Sequence, residues 1–69
     1  MEIKAVLVPR ENKEKVIEMA RGSTGMELMQ KLNLSFDAHI IARDDVPIPL
    51  DEKLVDGEKI KIISVISGG

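Results

Sequence analysis

Apolar residues recur at helical spacing once in this chain, at Leu28, Met29 and Leu32, and strand-like alternation runs on both sides of that stretch. A helix hides a stripe and a strand hides a face, so one helix among strands must be covered by the sheet the strands make. With 69 residues there is material for one modest core. Aromatic residues are 1% of the chain, with Phe36 alone, so that core is built from Ile, Leu, Val and Met.

Ile3 to Val8 reads as a strand, with Ile3, Ala5 and Leu7 on one face and Lys4, Val6 and Val8 on the other. Pro9-Arg10-Glu11-Asn12 breaks it, and Lys13 to Ala20 alternates again, which predicts an antiparallel hairpin. Thr24 and Glu27 have the spacing of a capping box and start the helix, which should end near Asn33 with Leu34 and Phe36 closing over the core. Core filling is also the reading for Met19, Met26 and Met29.

Ala38 to Arg43 is a third strand, stopped by Asp44-Asp45. Val46 to Leu50 holds two prolines and can only be a short edge segment. Asp56-Gly57-Glu58 signals a tight turn before the last strand, Lys59 to Ile66, where Ile60, Ile62 and Ser64 face the helix and Lys59, Lys61, Ile63 and Val65 face away. One helix between two hairpin-like halves predicts an α+β layer, a mixed sheet of four to five strands wrapping the helix with first and last strands parallel at its centre. Residues 1–66 form the domain and 67–69 a mobile diglycine tail.

Composition excludes several function classes. A net charge of −2 and a lone aromatic argue against a nucleic-acid surface, which needs cationic grooves or stacking rings. There is no cysteine, hence no disulfide, thiolate nucleophile or zinc site of the usual sulfur type. The opening residues enter a strand at once, leaving no room for a signal sequence, and no apolar run is long enough for a membrane span, so a cytoplasmic location is expected. His39 has no companion nucleophile, and Asp44-Asp45 and Asp51-Glu52 lack calcium-loop spacing, so no catalytic residue or metal site is expected.

The strand run Val65-Ile66-Ser67 leads into Gly68-Gly69. That ending, with Val46-Pro47 and the segment Leu54-Val55-Asp56-Gly57-Glu58-Lys59-Ile60, resembles the ubiquitin-like β-grasp family. It is most similar to the small sulfur carriers ThiS and MoaD, the ubiquitin-related modifier and the small archaeal modifier proteins. The resemblance spans essentially the whole chain. Asp44-Asp45 departs from it where many relatives have a glycine-containing turn, and the ending lacks both the paired prolines of MoaD and the third terminal glycine of ThiS.

The resemblance implies a sulfur carrier: Gly69 adenylated by an ATP-dependent activating enzyme, then converted to a thiocarboxylate by a sulfur donor or sulfurtransferase. The chain would bind no cofactor itself, ATP being used by the activating partner. A second implication is a ubiquitin-like modifier joined through Gly69 to lysines of target proteins. A third reading, different in class, is a passive β-grasp interaction domain. Gly68 and Gly69 lack Cβ and suit a narrow channel. If first and last strands are neighbours, Val6, Val8, Ile63 and Val65 form an aliphatic patch, the expected partner-docking surface.

Overall fold

The computed structural model describes residues 1–9 and 12–65. Five strands and one helix follow in the order β1 (Glu2–Val8), β2 (Glu14–Glu18), α1 (Gly25–Lys31), β3 (His39–Arg43), β4 (Val46–Ile48) and β5 (Lys59–Ser64). They form one mixed sheet, ordered β2-β1-β5-β3-β4. β1 and β5 run parallel at its centre, with Ala5 beside Ile60 and Leu7 beside Ile62; every other pairing is antiparallel. This is a mixed sheet holding one helix, as the alternation predicts, in the β-grasp arrangement that the resemblance implies.

Why the helix starts and stops where it does is written locally. Thr24 accepts from the Glu27 amide at 3.4 Å, and Glu27 Oε1 accepts from the Thr24 amide at 3.0 Å, completing the capping box. Two further first-turn amides, which no helix can satisfy internally, are taken by the segment between β4 and β5: Gly25 N donates to Glu52 O at 3.1 Å and Met26 N to Leu50 O at 2.8 Å. At the other end Asn33 turns left-handed (φ 63). Its amide donates to Gln30 O and that of Leu34 to Met29 O, the paired bonds of a Schellman stop.

The inner sheet face and the helix stripe meet in the core. Ile3, Leu28, Met29, Ile41, Ile60 and Ile62 are fully buried, joined by Ala5, Met19 and Leu54. Leu34 folds back against this cluster, whereas Phe36 keeps over a third of its surface exposed. The Schellman stop brings Leu34 inward, and a turn over Ser35–Ala38, with Ala38 N on Ser35 O at 3.3 Å, leaves Phe36 at 37% exposure. Met26 is also exposed rather than core-filling: Gly25 faces Ile41 at that end of the helix, and Met26 lies at the rim of the stripe.

β2 is shorter than the alternation suggests, with Met19 buried just past its end. β4 is the short edge segment expected. Asp44 and Asp45 both take positive φ (51 and 65), the backbone of a two-residue hairpin turn that follows the sheet's right-handed twist. Gly57, at φ +83, occupies the position of the Val55–Glu58 turn that requires a positive φ.

Candidate functional site

The register of the sheet assembles the face turned away from the helix row by row. Val8, Ile63 and Ile40 are partners across β1, β5 and β3, nearest the end of β5. The next row holds Glu14, Val6, Lys61, Ala42 and Pro47, and the one after it Val16, Lys4 and Lys59. Glu2 and Glu18 pair in the last. The face is thus apolar at the end where β5 finishes and charged elsewhere.

Two lysines of the charged part are paired with carboxylates. Lys61 Nζ lies 2.6 Å from Asp45 Oδ1 and Lys59 Nζ 3.4 Å from Glu14 Oε2. The hydrogen bond from Lys61, helped by its charge, holds the Asp45 carboxyl below its ordinary pKa. An open depression of about 250 Å³ lined by Ala42, Asp44, Asp45, Lys59 and Lys61 lies in this charged half, not beside the apolar row. Among the described residues no group of three or more His, Asp or Glu is placed to hold a metal ion.

Of the residues expected to form a docking patch, Val8 and Ile63 are direct partners and both half-buried. Val6 shares their face but sits beside Lys61, so it borders the apolar row rather than lying in it. Val65 follows β5 with 51% of its surface exposed, its amide donating to Ala38 O at 2.9 Å. That bond carries the β3–β5 pairing one step further and fixes the chain at the apolar edge of the sheet. Gly68 and Gly69 lie outside the described residues.

Ile40, at 40% exposure, was not among the expected patch residues. Its outward direction was readable, because Ile41 must point to the helix and neighbouring strand residues point opposite ways. Its place beside Ile63 was not, since local alternation does not say which strand lies against β5. His39 sits at the same edge, opposite Ser64, with Nδ1 3.0 Å from Ser35 O.

The fold and the family comparison point the same way. The model of the ThiS family matches residues 2–69. The chain belongs to the ThiS family. An uncharacterised protein of Archaeoglobus fulgidus is 29% identical to this ThiS-family chain over the full length of both. Among solved structures, ubiquitin of Caldiarchaeum subterraneum superposes with a TM-score of 0.78 at 22% identity, covering 100% of this chain and 98% of that one. SAMP1 of Haloferax volcanii superposes with a TM-score of 0.76 at 12% identity, covering 100% of both chains. These structural likenesses establish the ubiquitin-like β-grasp fold. Among the described residues of this ThiS-family protein no helix is long and apolar enough to cross a membrane.

Proposed function

We propose that this chain is a sulfur carrier whose terminal Gly69 is activated by a separate adenylating enzyme docked on the Val8–Ile63–Ile40 row. The observation that carries this reading is the Val65–Ala38 bond: it holds the chain at the apolar edge of the sheet four residues before Gly69. Activation joins the Gly69 carboxylate to the α-phosphorus of ATP and releases pyrophosphate. The terminal sulfur of a persulfide then attacks the acyl carbon, AMP leaves and an acyl disulfide forms. A thiol attacks the donor-side sulfur, releasing the thiocarboxylate and leaving a disulfide on the donor.

In this reading the chain is carrier and substrate rather than enzyme. Positioning and charge stabilisation come from the adenylating partner. Gly68 and Gly69 serve by lacking side chains, so that an extended backbone fits between the partner's walls. The names of the structural relatives, a ubiquitin and SAMP1, favour a second reading in which the same acyl adenylate meets a lysine amine of a target protein. The amine attacks, AMP leaves, and an isopeptide forms with loss of one proton.

Intact mass of the protein isolated from its own cells tests both. Exchange of sulfur for one oxygen at Gly69 is the expected result. Heavier species joined through Gly69 to lysine, without that exchange, would transfer the assignment to the modifier. Neither form, under sulfur-replete or stressed growth, would overturn activation at Gly69.

A further inference from the structure

We infer that Phe36 is a contact residue for the adenylating partner, seated in an apolar recess at the mouth of the channel that takes the tail. The inference rests on the proposed activation at Gly69 and adds the chemistry of the partner's surface. Phe36 is the chain's one Phe, Tyr or Trp, and it lies outside the core with 37% of its surface exposed. Leu34, two residues before it, is the residue of this segment that packs against the core.

Its position relative to the terminus supplies the occupant. Phe36 stands in the Ser35–Ala38 turn, and the Ala38 carbonyl that ends this turn accepts the Val65 amide at 2.9 Å. The His39 ring lies against the same turn, with Nδ1 3.0 Å from Ser35 O. Gly69 is four residues beyond Val65, and at roughly 3.3–3.6 Å per residue the chain reaches at most about 14 Å from it. A protein large enough to bind ATP and place it on the Gly69 carboxylate must therefore come down over the surface around Val65. The Phe36 turn belongs to that surface, and so does the apolar row of Ile40 and Ile63. An aromatic ring with over a third of its surface exposed, in the turn that holds Val65, is a side chain that contributes strongly when a partner desolvates it.

The test uses the full chain with its single phenylalanine replaced biosynthetically by 4-fluorophenylalanine, which yields one fluorine resonance. The resonance is expected to shift or broaden on titration with the purified adenylating enzyme from the same genome. The variant Phe36→Ala should raise the KM for this chain about ten-fold or more in ATP–pyrophosphate exchange with kcat little changed, the pattern of lost docking. Thermal unfolding of the variant should stay near that of the unsubstituted chain. If the variant fails to fold, the fluorine titration on the full-length wild-type sequence decides alone. An unmoved resonance while the enzyme still adenylates the chain would overturn the role of Phe36 and leave activation at Gly69 standing. No exchange with the wild-type chain would overturn activation itself, and this inference with it.

Discussion

Arg43 and Glu58 meet in a two-point ion pair at the start of β5, with Arg43 Nε 2.7 Å from Oε1 and Nη2 3.1 Å from Oε2 of Glu58. The same guanidinium donates to Glu52 at 3.1 Å and to the Lys53 carbonyl at 3.0 Å, while the Val55 amide donates to Glu58 Oε2 at 2.5 Å. β3, the 52–55 loop and β5 are thereby held at one point. The hydrogen bonds to Glu58, then to Glu52, raise the Arg43 pKa above its ordinary value against the opposing effect of burial.

Acid should loosen this point. Partial burial works to raise the Glu58 pKa, but the hydrogen bonds from Arg43 and the Val55 amide, with the Arg43 charge, outweigh it and leave the carboxyl below its ordinary range. A depressed folded-state pKa means the unfolded chain binds the proton more readily. The pair's contribution is thus complete above the unfolded glutamate value of about 4.3 and is lost as pH falls through the folded one. Thermal midpoints measured from pH 7 downward should fall in that acid window, and Glu58→Gln should flatten the dependence while costing about 1–3 kcal/mol at neutral pH. An unchanged acid limb in the variant would remove Glu58 as its source.

Gly25 is a packing requirement. A Cβ there would run into the Cδ1 of Ile41, a fully buried side chain that would have to shift within the packed core. Gly25→Ala should destabilise the fold by about 1–3 kcal/mol in chemical denaturation despite alanine's better helix propensity. Ile41→Val removes the obstructing methyl, so the double variant should be more stable than the sum of the two single costs predicts, giving a measurable coupling. Additive costs would refute the contact.

Ile62 and Ile63 are adjacent and should respond in opposite ways. Ile62 is fully buried against the helix, whereas Ile63 sits half-buried in the outer row. Ile62→Ala should cost about 2–5 kcal/mol. Ile63→Asp and Ile40→Asp should leave the chain folded by circular dichroism and abolish productive docking, read as loss of ATP–pyrophosphate exchange. Wild-type exchange in both outer-face variants would move the docking site elsewhere.

The tail should be separable from the fold. Deletion of Gly69, or Gly68→Val, is expected to leave the unfolding midpoint unchanged and to abolish adenylation. Normal adenylation of either variant would contradict activation at that carboxylate.

Much of this architecture was legible because its causes are local. The Thr24–Glu27 pair starts the helix with atoms three residues apart. Period-two alternation placed Ile3, Ala5, Ile60 and Ile62 inward before any pairing was known, and the burial of all four agrees. Arg43 illustrates what was not legible. It ends a strand, and nothing in the local sequence names its partners: three of its four acceptor contacts come from residues 10 or 15 positions away and the fourth from Glu52. Phe36 shows the reverse: apolar character alone does not reveal that the turn after Leu34 leaves over a third of the ring exposed.

The sequence by itself determined the element order and the face each strand residue takes, because helix caps, turn residues and alternation act over a few neighbouring bonds. Only the tertiary structure decided that β3 lies against β5, and with it that Ile40 joins Ile63 and Val8 and that the Phe36 turn stands beside Val65. Strand order and register are settled by which faces bury together around the one helix, an energy shared by the whole core and recorded in no short stretch of chain.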